Sequence, residues 1–529
     1  MSPFTLIAVF LILLSGRAWA GLPADAVSRL NAEDTDEKVA AIRQLATQSD
    51  ALALPVLRAM ANDDLRVAPD GRLYLLREGV AVDAADGRVL DPAPQAFDTV
   101  TINNRIRIEL SNAIALIELA DPDRSVRRKA AEALLEYPDL WLLPPLEQAL
   151  AREADEAIRT RLALVRAKSS LSSPDAAVRL AAVRALAEYA SPDTKGLLMP
   201  LLDVANEPDQ AVRQAAKKAL AEIESQLALR ATLAEVFTGL SLGSILLLAA
   251  LGLAITYGVM GVINMAHGEL LMIGAYTAYL VQGLFQAHLP AYFDWYVLAA
   301  IPAAFAVTAA VGVLLERTVI RHLYGRPLET LLATWGLSLI LIQGARMLFG
   351  AQNVEVANPA WLSGGIDLAP GLTLPLNRIF IIVFALIALA LVWMLMQKTR
   401  LGLFVRAVTQ NRAMASCVGV ATGRVDTLAF ALGAGIAGLG GVALSQIANV
   451  GPGMGQGYIV DSFMVVVLGG VGQLAGTVWA ALGLGVVTKF LEGWTGAVIA
   501  KILVLVLIIV VIQRRPQGLF SPKGRSVDG

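Results

Sequence analysis

The chain has 529 residues, 56% hydrophobic and only 16% charged, with a formal net charge of −1. That balance supplies no basic surface for nucleic acid, and a single cysteine (Cys417) with three histidines excludes an intramolecular disulfide and a Cys-cluster metal site and argues against a His-rich one. A water-soluble particle this apolar would carry large adhesive patches, so the composition points to an integral membrane protein.

The chain opens with an apolar run, Phe4 to Leu14, too short to span a bilayer comfortably, followed by the small-x-small sequence Ala18-Trp19-Ala20. Residues 1–20 therefore read as a signal peptide, with the mature chain starting near Gly21. An uncleaved anchor is the alternative, because no Lys or Arg precedes the run and Arg17 follows it. Either reading sends the next domain, residues 21–230, across the membrane to the periplasmic side.

Residues 21–230 are rich in Ala, Leu, Arg, Glu and Asp, and a loose motif recurs in them: Ser125-Val126-Arg127, Ala157-Ile158-Arg159, Ala177-Val178-Arg179 and Ala211-Val212-Arg213. Each begins an Ala/Leu-rich helical pattern, three of them after an Asp-containing turn such as Asp121-Pro122-Asp123. Helix pairs repeated in this way resemble HEAT-type repeats, which bury their apolar faces on neighbours. Asp36 to Met60 reads as an earlier copy. Arg72 to Leu76, Gly79 to Val82 and Arg88 to Leu90, with a turn at Asp86-Gly87, predict a small β insert. The domain shows no catalytic constellation. A docking surface for a partner and a ligand-free cap are equally compatible with it.

From residue 231 to 520 the chain is a membrane domain. Apolar segments at 236–257, 269–286, 295–315, 328–349, 379–396, 427–447, 459–487 and 496–512 give about eight spans, the seventh reading as two short spans broken near Gly469-Gly470. Arg317, Arg321 and Arg326 cluster in one loop, Lys398, Arg400, Arg406 and Arg412 in another, and Arg514, Arg515, Lys523 and Arg525 after the last span. The positive-inside rule makes these loops and the 521–529 tail cytoplasmic. Threading back places the start of the first span outside, in agreement with the exported domain. The glycine pattern Gly433-x-Gly435-x-x-Gly438 sits inside an apolar run, so it reads as close helix packing and not as a dinucleotide fingerprint.

Polar groups at membrane depth are functional candidates by default. Asn264, His267 and Glu269 lie between the first two spans, where Gly261 suggests a break that must face protein or a watery cavity. A structural turn and a lining of a solute path both fit. A deaminase-like zinc site is excluded, because His267-x-Glu269 would need two further cysteines. Thr334, Trp335 and Ser338 fall on the fourth span. Gln446 and Asp461 flank a glycine-rich outer loop, Gly451 to Gly457, where Asp461 reads as a helix cap or a pore-mouth residue. After the fifth span, Thr399 to Val408 and Gln410 to Ala415 predict two short amphipathic helices, with Leu403, Val405 and Met414 packing while Arg400, Arg406 and Arg412 stay in water.

Three stretches now carry a resemblance: Gly261-Val262-Ile263-Asn264-Met265-Ala266-His267-Gly268-Glu269, Thr399 to Gly419, and Leu468-Gly469-Gly470-Val471-Gly472. Over about 237–520 the chain resembles the membrane permeases of branched-chain amino acid type ABC importers. It most resembles the urea-type permease, on Ala333-Thr334-Trp335-Gly336-Leu337-Ser338, on the run Gly457 to Val467, and on the exported N-terminal extension. The resemblance implies a polytopic all-α fold and a set of partners: a second permease subunit, two ATP-binding subunits and a periplasmic substrate-binding protein, with membrane lipid around the spans. It also implies that Arg400, Gly402, Arg406, Ala407, Asn411, Arg412 and Gly419 belong to an ATPase-docking loop, although no Glu-Ala-Ala triplet of the wider ABC pattern occurs there. No GxxxxGK[ST] phosphate loop is present, so ATP hydrolysis belongs to separate subunits and the chain needs no cofactor of its own. The expected function is uptake of urea or a short amide by alternating access. An amino acid permease of the same build, a passive urea channel and a membrane-tethered scaffold are the rivals.

Overall fold

The computed structural model describes residues 22–48, 53–69, 71–77, 80–90, 97–515 and 518–520. The expected signal peptide and the 521–529 tail lie outside the described residues. The chain divides into two units after Leu227.

In the first unit, aspartates start helices by accepting the free N–H groups of the first turn. Asp123 takes the Ser125 amide at 2.8 Å, Asp155 takes Ala157 and Ile158 at 3.0 and 3.1 Å, and Asp175 takes Ala177 at 2.9 Å. The resulting order is α1 (Ala24–Arg29), α2 (Thr35–Thr47) and α3 (Ala53–Ala61), then five strands, then α4 (Asn104–Glu118), α5 (Arg124–Glu136), α6 (Leu143–Arg152), α7 (Glu156–Ser170), α8 (Ala176–Ala187) and α9 (Pro192–Leu198). The strands β1 (Leu65–Val67), β2 (Leu73–Arg77), β3 (Val80–Asp83), β4 (Val89–Leu90) and β5 (Asp98–Thr99) form one antiparallel sheet in the order β4-β3-β2-β1-β5. Leu65 pairs with Leu75 and Val67 with Leu73, so alternate apolar side chains of β1 and β2 enter the helical core. β2, β3 and β4 match the strands expected from sequence. β1 and β5, of three and two residues, are too short to stand out in the sequence.

The recurring arginine has a structural use. Arg127 turns back to the Asp121 and Pro122 carbonyls, both at 3.0 Å, and reaches Glu153 at 2.9 Å. Arg179 repeats this on Ser173 and Pro174 (2.8 and 2.9 Å) and on Glu207 at 2.6 Å. Each glutamate also accepts the amide of the next capping aspartate, Asp155 or Asp209. One arginine thereby fixes its own turn and the turn of the following helix pair.

In the second unit, α10 (Gln210–Met260, from residue 228 onward) is followed by α11 (His267–His288), α12 (Tyr296–Thr318) and α13 (Pro327–Phe349). A hairpin, β6 (Gly365–Ala369) with β7 (Leu372–Pro375), leads to α14 (Leu376–Lys398), and two short helices, α15 (Arg400–Gln410) and α16 (Arg412–Cys417), lead to α17 (Thr422–Ser445). α18 (Met454–Gly469), α19 (Leu474–Thr495) and α20 (Ala497–Arg514) complete the bundle. Among the described residues, eight helices are long and apolar enough to cross a membrane, and α18 is a shorter apolar helix. The chain reverses between α18 and α19 through Gly470 and Gly472, both at positive φ, where the sequence placed its break. The hairpin was not expected.

α17 is the hub, and glycine makes it one. A Cβ on Gly433 would meet the Gly252 carbonyl oxygen of α10 at 2.6 Å, and one on Gly438 would collide with Thr308 of α12. Gly274 of α11 touches the Gly438 backbone, and Gly441 touches that of Leu271. The backbones of α10 and α11 thus meet that of α17 without an intervening side-chain layer, as expected of small-residue packing in membranes. Two expectations are corrected. Gly455 and Gly457 are helical, because α18 begins at Met454, and Asp461 lies within that helix, where no free amide remains for it to cap.

The Arg179 hydrogen bond holds the Glu207 carboxyl below its ordinary range. A lowered acid contributes stability above its unfolded value and loses it as pH falls through the folded value. Glu207→Gln should speed amide exchange in α8 roughly fivefold at neutral pH. The difference from the parent chain should shrink on acidification, as read by hydrogen exchange at matched pH.

Candidate functional site

α10 stops at Met260 because Gly261 turns the backbone to φ +66°. The Asn264 Oδ1 then accepts the Ala266 amide at 3.0 Å, an Asx turn that starts α11. Thr334 on α13 holds this segment from outside: its hydroxyl accepts the Met265 amide at 3.2 Å and faces the Ile263 carbonyl at 3.4 Å. His267 sits 2.9 Å from the Ala249 carbonyl. Facing a carbonyl, Nε2 must carry the hydrogen. Ala249 precedes Met260 by 11 residues, so α11 begins about 16 Å up the axis of α10 and well inside the bundle. Its first turn lies directly on that of α18, since Gly268 and Gly455 touch backbone to backbone.

Glu269, on the same first turn, lies beside Ser338 of α13. Asn264, His267 and Glu269 are each 1% exposed, Thr334 is 0% and Ser338 3%. Three of their polar atoms have no protein partner: Asn264 Nδ2, His267 Nδ1 and Glu269 Oε2. An apolar bundle thus contains a donor and acceptors whose capacity the chain does not use, the arrangement expected where a polar solute or water completes the set. Met265 lines an adjoining groove of about 300 Å³ with Ile459, Phe463, Met464 and Ile508.

Of the candidates named from sequence, Asn264, His267, Glu269, Thr334 and Ser338 come together here. Trp335 points out of the bundle and is 52% exposed. Gln446 joins Tyr296 (3.3 Å) and Ser445 (3.1 Å), while its carbonyl takes Asn377 at 3.2 Å, in a clasp at the other end of α17. Asp461 lies 4.0 Å from Lys501.

A second cluster occupies the basic end of the bundle. Thr399 and Asn411 cap α15 and α16, Gly402 sits against the Met396 backbone, and Gly419 ends the segment at φ +89°. Val405, Val408 and Ala415 are the buried side chains, Ala407 is half-buried and Arg400 exposed. The expected packing of Leu403 and Met414 is corrected: they are 56% and 61% exposed, because the helical period turns Gly402, Val405 and Val408 inward instead. Arg406 donates to the Met396 carbonyl at 2.8 Å. Arg412 turns inward, donating to the Tyr324 hydroxyl at 2.8 Å and to the Asp426 carboxylate, with its guanidinium 4.2 Å from the Tyr324 ring centroid. Burial and the Asp426 charge push the Tyr324 hydroxyl above its ordinary value, so it stays protonated. Sequence reading overlooked Asp426 and Glu316, although each is an acid near the end of an apolar run with an arginine nearby.

A family profile described as branched-chain amino acid transport system / permease component matches residues 235–512, and one described as HEAT repeats matches 165–237. The chain is 31% identical to the high-affinity branched-chain amino acid transport system permease protein BraD of Pseudomonas aeruginosa, over 55% of this chain and 95% of that protein. It is 29% identical to the corresponding permease protein LivH of Escherichia coli, with the same coverage. The ribose import permease protein RbsC of Escherichia coli is 25% identical over 48% of this chain and 76% of its own length.

The Thr334 hydroxyl is the acceptor for the Met265 amide, so Thr334→Val should destabilise the detergent-solubilised chain by about 0.5–1.5 kcal/mol. Thr334→Ser, which keeps the acceptor, should unfold close to the parent. Thermal unfolding of the three proteins side by side checks this.

Proposed function

We propose a function for this chain from one premise: it belongs to the family of branched-chain amino acid transport permease components, matched over residues 235–512. The chain is a permease subunit and not an enzyme. It works with a second permease subunit, two ATP-binding subunits and a substrate-binding protein outside the membrane. The basic end faces the cytoplasm, where the α15–α16 segment presents Leu403, Phe404, Met414 and Val418 to an ATP-binding subunit. Closure of the ATP-binding pair moves this segment, and the bundle alternates between outward and inward access. ATP shifts that equilibrium only as far as it favours one state.

The solute is a small uncharged amide, urea first. The observation that carries this reading is the set of unused polar atoms at the α10–α11 break, Asn264 Nδ2 and Glu269 Oε2 above all. A carboxylate oxygen accepts from an amide N–H, and the Asn264 amide donates to a carbonyl. Among the described residues of the spans no lysine or arginine is buried, so the carboxylate of a zwitterion would find no counter-ion in this chain. A branched-chain amino acid is the second reading, favoured by the similarity to the branched-chain amino acid permease proteins BraD and LivH; its ammonium would take Glu269.

Uptake of labelled urea and labelled leucine in a strain lacking the gene, with and without the intact chain, separates the two. Urea uptake should be restored and leucine uptake should not. Glu269→Gln should then lower urea uptake roughly tenfold at unchanged membrane content. Orientation has its own test. Cys417, the chain's one cysteine, is exposed at the end of α16. A membrane-impermeant maleimide should label it in inside-out vesicles and leave it unlabelled in intact spheroplasts.

A further inference from the structure

Two buried acids stand side by side in space at the basic end, and each is held by an arginine from a different loop. Asp426, in the first turns of α17, is 2% exposed and receives Arg412 of α16. Glu316, near the end of α12, is 1% exposed; it accepts the Thr427 hydroxyl at 2.7 Å and lies 3.4 Å from Arg321. Consecutive residues of α17 are therefore tied in two directions, Asp426 to the short helices and Thr427 to α12. Tyr324 adds a third tie, because it belongs to the connection between α12 and α13 and carries the Arg412 guanidinium on its ring and on its hydroxyl.

We propose that Arg412 is a positioning residue that transmits movement: the Arg412–Asp426–Tyr324 latch delivers displacement of the α15–α16 segment to α17 and to the foot of α13. This deepens the ATP-driven permease reading and rests on it. Three features support transmission over simple surface docking. Arg412 spends its donors inside the chain, whereas the large apolar side chains Leu403, Phe404, Met414 and Val418 are exposed. α17 meets α10 and α11 backbone to backbone at its glycines, and Gly438 and Gly435 sit directly against Thr308 and Phe305 of α12, so a push at Asp426 leaves little room for rotamer changes to absorb it. α13 begins three residues after Tyr324 and carries Thr334, which holds the α10–α11 break, and Ser338, which lies beside Glu269. A guanidinium suits this place because it can bond a carboxylate with two nitrogens while stacking on a ring, which an ammonium cannot do.

The test uses the complete importer, purified with its ATP-binding subunits and reconstituted in vesicles. Asp426→Asn and Arg412→Lys should leave the ATP-binding subunits bound and ATP hydrolysis within about twofold, while uptake per ATP falls roughly tenfold. In a Cys417→Ser background, Arg412→Cys with Asp426→Cys should behave the same way. Bridging that pair with a short reducible bis-thiosulfonate should recover uptake per ATP, and reduction should abolish it again. Parental uptake per ATP in the single variants would overturn the latch, as would loss of the ATP-binding subunits from the complex, which would place Arg412 in the docking surface. If the single variants fail to insert, the bridged pair decides: no recovery on bridging overturns it. Absence of any ATP-binding subunit from the parental complex would instead defeat the permease reading itself.

Discussion

Backbone amides and carbonyls inside a bilayer must find partners within the protein, and the break between α10 and α11 exists only because it does so. Thr334 takes the Met265 amide, Asn264 takes that of Ala266, and His267 occupies the Ala249 carbonyl. Remove these and the segment 261–266 would have to become helical or leave the bundle. Keeping it allows α11 to start deep inside, with its first-turn amides and the side chains of Asn264 and Glu269 at a depth that otherwise holds apolar groups. The polar site follows from the solution to the backbone problem.

The same requirement explains the glycines. A helix that starts at depth needs neighbours close enough to shield its open end, and a side-chain layer would hold them too far away. Gly268 on Gly455 and Gly252 on Gly433 remove that layer where the open end sits. Close approach also gives the bundle little slack, since packed surfaces shift between discrete arrangements more readily than they deform. A polar site held this way changes its surroundings when whole helices move, as alternating access requires.

Much of this was legible in the sequence, and what was hidden has a common cause. Long apolar runs, the break at Gly261 to Glu269 and the turn at Gly470 announce themselves through local composition. The recurring Ala-Val-Arg motif showed a repeat but not its use, because Arg179 reaches a glutamate 28 residues on, a pairing set by how helix pairs stack. Thr334 and Ser338 could be named as polar residues of a span. That they face the break, whereas Trp335 faces outward, depends on the rotation of α13, which an apolar helix with polar groups on more than one side leaves open. Gln446 and Asp461 were drawn in by proximity to one glycine-rich stretch, yet Gln446 clasps Tyr296 and Asp461 approaches Lys501. The short helices inverted expectation at Leu403 and Met414 because amphipathic patterning identifies an apolar stripe without saying whether lipid, the same chain or a partner covers it.

Arginines at the ends of membrane helices are usually explained by topology alone. In this chain the basic end also holds two acids almost wholly removed from solvent, and a buried carboxylate without a partner costs several kcal/mol. Arg321 and Arg412 meet that demand from loops that would otherwise be free to move. Here such charges hold loops against the helices. Arg400, which has no such acid beneath it among the described residues, stays exposed. The distribution of acids under the loops, more than the count of arginines within them, decides which parts of the basic end are firmly attached to the bundle and which remain open to a partner.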